Sequence, residues 1–251
     1  MSIKNVVKSI TPKPIRNTLK DLIGITALNE RISELQKQIA ILEDMLLGEN
    51  IWERSRKRWR ESEPEKGLTW GKEISGDNFI KKLKPYVNFN EEKKILDIGP
   101  GYGRLLKSCL GMKIPFKKYV GLDLSQKNVD FLKVTFPGES MEFIKGDVEK
   151  VGFNDRFDIV YSSLTFKHLF PSFKNSLKNL SEFMKPGAII AFDLVEGNSR
   201  VFEEDHVTYL RSYTKEEVTG ILYKIPFEFV SFDQVEHDPG FIRLLVVAKK
   251  L

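Results

Sequence analysis

The sequence has a single cysteine, Cys109, among its 251 residues. One thiol cannot form an internal disulfide, and it excludes a zinc site built from several cysteines. No apolar run approaches the ~20 residues that a membrane-spanning helix needs, and the first residues lack the apolar core of a signal peptide. We therefore expect a soluble, cytoplasmic protein. The net charge of +5 is too weak a bias to indicate a nucleic-acid partner.

The composition of the chain changes along its length, and four segments can be distinguished. We predict a basic tail over residues 1–24, a coiled-coil helix over 25–48, a helical linker or cap over 49–90 and an α/β domain over 91–251. The tail has five basic residues against one acidic residue, and two prolines interrupt any helix there. It is interpreted as a solvated tail, or alternatively as a weak contact with an anionic membrane surface.

The second segment carries apolar residues at alternating spacings of three and four. These are Ile25, Leu28, Ile32, Leu35, Ile39, Leu42 and Leu46. β-Branched residues at the a positions with leucine at the d positions favour a parallel two-stranded coiled coil. The pattern predicts a homodimer; the alternative is one amphipathic helix that packs on its own domain.

Residues 49–75 combine basic side chains with all three tryptophans of the chain. The residues concerned are Arg54, Arg56, Lys57, Arg58 and Arg60 with Trp52, Trp59 and Trp70. Such interleaving can mark a nucleic-acid surface. We favour the alternative, a helix that packs its tryptophan side on the body of the protein, and we do not expect nucleic acid as a partner.

From residue 93 onward, patterns typical of strands and helices alternate. Such alternation implies parallel strands with helices on both faces of the sheet. The last two strands are joined by the tight turn "HDPG", so the final strand must run antiparallel to the strand before it. We predict a Rossmann-like, doubly wound α/β sheet of seven strands whose last strand is antiparallel, preceded by an N-terminal α-helical coiled coil.

The stretch "ILDIGPGYG", residues 95–103, places three glycines directly after the first predicted strand. Open α/β sheets bind ligands at the carboxyl ends of their strands, and glycine there lets a ligand approach the backbone. The spacing of Gly99, Gly101 and Gly103 is not G-x-G-x-x-G, because Arg104 or Leu106 stands where the third glycine would fall. A dinucleotide enzyme is therefore disfavoured, and the P-loop motif is absent.

Carboxylates end the first three predicted strands, at Asp97, Asp123 and Asp147. Asp123 follows Gly103 by twenty residues, a position from which a carboxylate can accept hydrogen bonds from ribose hydroxyls. For Asp147 the alternative is a plain Gly-Asp turn. The glycines and the carboxylates together predict a nucleoside-containing ligand.

Residues 93–251 resemble the class I S-adenosylmethionine-dependent methyltransferases. "ILDIGPGYG" is similar to their first motif, "YVGLDLS" to the acidic second, and "FIKGDVEK", "FDIVYSSL" and "LKPGAIIAFD" to the later ones. The resemblance implies S-adenosylmethionine as the cofactor. It implies that the methionine part faces Asp97 and the glycine backbone, that Asp123 holds the ribose, and that the sulfonium lies near Ser162. The cofactor-binding residues that it implies are Asp97, Gly99, Gly101, Gly103, Asp123, Leu124 (against the adenine), Asp147 and Val148 (at the adenine edge) and Ser162.

The methyl acceptor has to be sought after the fourth predicted strand, where the sequence reads "SSLTFKHL". Related families that methylate amino groups carry the motif N/D-P-P-Y/F at this place, and this chain does not. Carbon methylation of cytosine needs a thiolate, but the only thiol, Cys109, lies in the first helix of the domain, away from the expected acceptor. His168 is the candidate base or acceptor contact, with a structural role as the alternative. Two further histidines are weaker candidates: His206, in an acidic loop that could cover the substrate, and His237, in a turn. Asp193 and Glu196 alone do not predict a metal.

We therefore predict an S-adenosylmethionine-dependent methyltransferase that O-methylates a small molecule or a sugar or polysaccharide acceptor. One alternative is an RNA methyltransferase that uses the Arg/Trp segment. A second is a non-catalytic dimeric scaffold that retains the fold.

Overall fold

A computed structural model of the chain describes residues 24–46, 48–63, 75–202, 208–238 and 241–251. The basic tail up to residue 23, Trp70 and His206 lie outside the described residues. The described residues fall into two units, one up to Ile51 and one from Trp52 onward. In the part of the chain that the structure describes, no helix is both long and apolar enough to cross a membrane.

The first unit contains helix α1, Ile25–Leu46. The heptad pattern thus forms a helix, as predicted. Four of its apolar a and d side chains, Leu28, Ile32, Leu35 and Ile39, are between 42% and 59% exposed. Helix α2, Gly48–Arg60, follows and runs from the first unit into the second.

The second unit is built on a mixed sheet with the predicted seven core strands. They are β1 (Lys94–Ile98), β2 (Lys118–Asp123), β3 (Met141–Lys145), β4 (Phe157–Ser162), β5 (Met184–Glu196), β8 (Phe227–Asp238) and β9 (Phe241–Lys250). Their spatial order is β3-β2-β1-β4-β5-β9-β8. Strands β1 to β5 pair in parallel, and β9 is antiparallel to both of its neighbours. The predicted antiparallel last strand is confirmed.

Helices cover both faces of this sheet. They are α3 (Asp77–Leu83), α4 (Arg104–Gly111), α5 (Gln126–Thr135), α6 (Lys174–Glu182) and α7 (Lys215–Leu222), with 3-10 turns at Lys84–Tyr86 and Phe166–His168. Successive strand residues point to opposite faces. Leu96 therefore joins the apolar cluster under α6 and α7, whereas Ile95 joins the one under α3, α4 and α5.

Two further strands, β6 (Arg200–Phe202) and β7 (Tyr209–Tyr213), form an antiparallel pair after β5. Strand β7 also pairs in parallel with the last two residues of β5. The prediction of a loop was wrong for β7. Tyr209 and Tyr213 bury their rings against Phe170 and Phe173, with ring centroids 5.2 and 4.9 Å apart, and the preceding acidic residues obscured this strand in the sequence.

The expected turn at His237 was also wrong. The backbone of His237 belongs to β8, because the pairing of β8 with β9 continues past it to Asp238 and Phe241. The strand tolerates a register shift between Glu236 and Asp238, which keeps the pairing intact beyond the end of the apolar pattern.

Substituting Gly103 by alanine should destabilise the fold. Gly103 precedes α4 with φ +82°, and a Cβ there would lie 3.0 Å from Leu132 Cδ2 and still closer to the Phe136 ring. The left-handed backbone and the overpacking together should lower the free energy of unfolding by about 3 kcal/mol in urea denaturation. Gly138→Ala is the control, since no atom lies within 4 Å of a Cβ there. Equal losses in the two variants would contradict the assignment.

Candidate functional site

A cavity opens at the carboxyl ends of β1, β2, β3 and β4. It encloses about 1170 Å³ of space between atoms, the open mouth included, and the turns after these four strands together with α2 line it. This is the edge of the sheet at which open α/β folds bind ligands.

The turn after β1 forms one wall of the cavity and requires glycine. Gly99 and Gly101 have φ of +70° and +57°, and the Gly99 amide donates to the Leu122 carbonyl at 2.8 Å. A Cβ at Gly99 would collide with the Thr165 side chain. Gly103 is not among the lining residues; it lets α4 start close to Phe136.

Asp123 ties two walls of the cavity together. Its Oδ2 accepts from the Gly101 amide at 3.0 Å, and its Oδ1 accepts from the Ser125 amide at 2.9 Å and from Asn128 Nδ2 at 3.1 Å. Burial raises the pKa of the Asp123 carboxyl, and these hydrogen bonds oppose that rise. Leu124 continues the same wall.

Asp97 lines the cavity from the end of β1 and is 1% exposed. Tyr119 Oη donates to its Oδ2 at 2.5 Å. Burial raises the pKa of Asp97 to about 7, although the Tyr119 hydrogen bond and the nearby Arg104 charge oppose that rise. Near pH 7 the protonated and the ionised forms of this carboxyl are therefore both populated.

The loop after β3 contributes Gly146, Asp147 and Val148 to the wall. Asp147 Oδ1 accepts from the Glu149 amide at 3.0 Å, and Oδ2 accepts from Arg56 Nε at 2.9 Å. Both oxygens thus have a partner within the chain, and the role of Asp147 at an adenine edge stays a prediction.

Helix α2 and the residues just after it form a wall that sequence reasoning did not assign to the site. Ser55, Arg56 and Trp59 of α2 line the cavity, and so does Ser62, which follows the helix. The spacing of Trp52, Arg56 and Trp59 carried this signal. On its own this spacing favours a helix packed on the body and does not assign the helix to a site.

The end of β4 differs in one residue from the expectation. Ser162 is not among the lining residues, because its hydroxyl donates to the Ile98 carbonyl at 2.8 Å inside the sheet. The next residue, Ser163, lines the cavity instead. Its hydroxyl accepts from Arg104 Nη2 at 2.6 Å and donates to Asp193 Oδ2 at 2.7 Å.

Asp193 is fully buried and holds the segment that follows β4. Its Oδ1 accepts from the Leu164 amide at 2.6 Å, which fixes Leu164 at φ +63°. A bulky residue in this left-handed conformation persists only where its surroundings hold it. Glu196 lies elsewhere, 3.6 Å from Lys215 Nζ. The described residues contain no cluster of three or more potential metal ligands.

His168 lines the cavity from the 3-10 turn and is 7% exposed. Its Nδ1 lies 2.6 Å from the Tyr209 carbonyl, and a carbonyl can only accept. The neutral ring therefore carries its hydrogen on Nδ1, and Nε2 is an acceptor. Burial lowers the pKa of His168 to about 3. The ring centroid of Trp59 lies 4.5 Å away.

Cys109 is fully buried, with Sγ 3.6 Å from Tyr161 Oη. Burial raises its thiol pKa to about 12, so the thiol is not ionised at neutral pH. Cys109 is not among the residues that line the cavity.

Comparison with known proteins finds similarity to methyltransferases. Residues 96–192 match the family model described as "Methyltransferase domain". A malonyl-[acyl-carrier protein] O-methyltransferase from Priestia megaterium is 31% identical over 127 residues, which cover 51% of this chain and 45% of the relative. A demethylmenaquinone methyltransferase from Chlorobaculum tepidum is 28% identical over 152 residues, with coverages of 59% and 60%. The chain thus spans about half the length of the curated relatives it matches.

A solved structure shares the fold. A glycopeptide N-methyltransferase in complex with S-adenosyl-L-homocysteine superposes with a TM-score of 0.59 at 14% identity, covering 71% of this chain and 91% of that one. This match covers a larger share of the chain than residues 96–192, and at 14% identity it is a similarity of fold.

The raised pKa of Asp97 predicts a specific pH dependence of stability. Between its unfolded value near 4 and its folded value of about 7, the folded state binds a proton that the unfolded state has lost. The contribution of the Asp97 carboxyl to the free energy of unfolding therefore decreases as pH rises through that window. From pH 5 to pH 7, the unfolding free energy of the wild type should fall by about 2 kcal/mol relative to Asp97→Asn.

Urea denaturation of both proteins at the two pH values measures this difference. Because the variant shares every other titrating group, their contributions cancel in the comparison. A difference between wild type and variant that does not change with pH would show that Asp97 ionises normally.

Proposed function

Because the chain belongs to the class I S-adenosylmethionine-dependent methyltransferase family, we propose that it transfers a methyl group from S-adenosylmethionine to an oxygen atom of a small-molecule or sugar acceptor. When bound, S-adenosylmethionine supplies an activated methyl group on a cationic sulfonium. The observation that carries the proposal is the cavity in which the glycine turn after β1, Asp97 and Asp123 meet.

The residues around the cavity fit this cofactor. The space beside Gly99 admits no side chain, so a ligand can approach the backbone of this turn. Buried carboxyl groups on the wall suit a ligand that carries a positive charge and hydroxyl donors. This chemistry supports the proposed contacts with the cofactor.

We assign the contacts residue by residue. Asp97 and the backbone of Gly99 and Gly101 would hold the methionine part. Asp123 would hold the ribose beside Leu124. At the adenine edge, we retain the carboxylate of Asp147 and the amide of Val148. Beside the sulfonium we propose Ser163, which lines the cavity, in place of Ser162.

His168 would act on the acceptor by hydrogen bonding. Its unprotonated Nε2 can accept from an acceptor hydroxyl and so orient an oxygen lone pair toward the methyl group. Since burial holds its pKa near 3, His168 does not keep the proton that a hydroxyl acceptor loses as its oxygen bonds to the methyl group. That proton would leave to solvent water at the open mouth of the cavity. A carboxylate acceptor needs no base, but it has no hydrogen to donate to Nε2, so the role proposed for His168 applies to a hydroxyl acceptor. The name of the Priestia megaterium relative, which methylates oxygen on a malonyl group, supports an oxygen acceptor.

Two alternatives are weaker on this geometry. The Arg/Trp segment suggested RNA, but Arg56 is engaged with Asp147, and Trp59 lines the chain's own cavity. A non-catalytic scaffold has no need of buried carboxyl groups around an open cavity, since such groups cost stability.

We further propose that the chain forms a homodimer through α1 and acts in the cytoplasm. The exposure of the apolar side chains at a and d positions supports the coiled coil. The single cysteine fits a reducing compartment. We keep the predicted boundaries of the basic tail, residues 1–24, and of the coiled coil, residues 25–48, as part of this proposal.

Labelled cofactor tests the proposed reaction. The protein should transfer label from S-adenosylmethionine to an oxygen atom in a pool of hydroxylated metabolites, carboxylic acids or saccharides, identified by mass spectrometry. His168→Ala should lower kcat by about ten-fold or more, because the acceptor loses its orienting partner. Its affinity for S-adenosylhomocysteine should stay within about two-fold of wild type.

Two results would contradict the proposed reaction: a wild-type chain that transfers no label to any pool, and label on nitrogen or carbon only. Unchanged turnover in the His168 variant would remove only the role given to His168.

The mass of the protein in solution tests the dimer. Sedimentation should give twice the 29.0 kDa chain mass for the wild type. Leu35→Asp places a charge at a d position and should give the monomer mass, because a buried carboxylate is costly. Ser33→Asp adds the same charge outside the a and d positions and should leave the dimer intact. A monomeric wild type would overturn the coiled coil.

A further inference from the structure

One wall of the cavity comes from a part of the chain that precedes the matched domain. Ser55, Arg56, Trp59 and Ser62 line the cavity, whereas the family model begins at residue 96. The question is what holds this segment against the loops that follow the strands.

Arg56 makes the principal contact between α2 and the loop after β3. Its Nε donates to Asp147 Oδ2 at 2.9 Å, and its Nη2 lies 2.6 Å from Glu149 Oε2, a charge contact without hydrogen-bond alignment. The guanidinium lies over the Trp52 ring, 3.9 Å from its centre. The side chains of Arg56, Asp147 and Glu149 are only 5%, 15% and 8% exposed.

This cluster is poorly suited to a purely stabilising role. Buried ion pairs repay little of their desolvation cost compared with apolar packing. Burial raises the pKa of Glu149, which shows that the Arg56 charge does not fully compensate for the lost water. Arg56 Nη1 is buried as well and has no hydrogen-bond partner among the described residues. What the cluster does provide is a defined position for α2 and for the Asp147 carboxylate.

A second tie lies at the other end of the segment. Ser125 Oγ donates to the Ser62 carbonyl at 2.7 Å. Asn128 Nδ2 donates to Ser62 Oγ at 3.2 Å and to Asp123 Oδ1 at 3.1 Å. The segment is thus bonded both to the loop after β2 and to the loop after β3, the two loops to which we assign the nucleoside half of the cofactor.

We propose that Arg56 is a positioning residue for the cofactor: by fixing α2 on the loop after β3, it closes the nucleoside end of the cavity and orients Asp147. This inference rests on the proposed function, since the ligand is S-adenosylmethionine or its product. It makes residues 52–63 part of the cofactor site.

Arg56→Met is the decisive variant. Methionine keeps an unbranched stem beside Trp52 but has neither the charge nor the donors. The Kd for S-adenosylhomocysteine, measured by calorimetry on the full chain, should rise about ten-fold or more. The KM for S-adenosylmethionine should rise by a similar factor, while kcat at saturating cofactor changes by less than about two-fold.

Two further variants separate positioning from general damage. Arg60→Met removes an exposed ion pair with Glu53 from the same helix and should leave the Kd within about two-fold of wild type. Arg56→Lys keeps the charge, but one ammonium cannot match the planar guanidinium fork, so the Kd should rise about three-fold. If Arg56→Met fails to fold, because it leaves two buried carboxylates unpaired, the lysine variant decides.

The results that would overturn the inference are distinct from those that test the reaction. A lower melting temperature with an unchanged Kd in the Arg56 variants would make the cluster merely structural. A wild type that does not bind S-adenosylhomocysteine would overturn both the inference and the proposed function. A wild type that binds S-adenosylhomocysteine but transfers no methyl group would overturn the proposed function. The role of Arg56 would then be tested by the Kd for S-adenosylhomocysteine alone.

Discussion

The carboxylate of Asp123 is the point on which the cavity depends. It accepts from the Gly101 amide, from the Ser125 amide and from Asn128, and it thereby joins the turn after β1 to the loop after β2. Asn128 in turn holds Ser62, so the same carboxylate secures the wall that follows α2. A buried carboxylate keeps its charge only when donors surround it. The fold supplies three donors, and the geometry of three chain segments follows from satisfying one charge.

Low polarity inside the cavity explains the behaviour of its other titratable groups. Burial moves the pKa of Asp97 up and that of His168 down, in each case toward the neutral form. A cationic ligand changes this balance for Asp97, because a positive charge favours the ionised carboxylate. His168 gains no such help from a cation. In the proposed function the two residues therefore have different roles: Asp97 would face the charged part of the cofactor, and His168 would accept a hydrogen bond from a hydroxyl acceptor.

The sequence alone was sufficient to predict the strands of the core sheet and to place the motif residues at the ends of β1, β2 and β3. Their patterns are local: an apolar strand, a glycine turn and a carboxylate follow one another along the chain. Two features could not be found in this way. Strand β7 reads as the end of a loop because acidic residues directly precede it, and only the burial of Tyr209 and Tyr213 reveals the strand. The second feature is which serine lines the cavity: the Ser162 hydroxyl donates to Ile98 inside the sheet, and Ser163, just after β4, contacts Asp193 of the neighbouring strand.

The position of α2 is the third feature that local patterns did not determine, and it changes how the domain is bounded. Arg56 and Asp147 are separated by 91 residues, so no window of sequence contains both partners. A basic residue between two tryptophans is equally compatible with RNA, with solvent and with a buried ion pair. The structure places Asp147 and Glu149 beside Arg56, and the buried ion pair is the environment in which the charges of these carboxylates are compensated. A boundary drawn at residue 91 would remove that compensation, so we infer that the functional domain begins at or before Trp52, where the second unit begins.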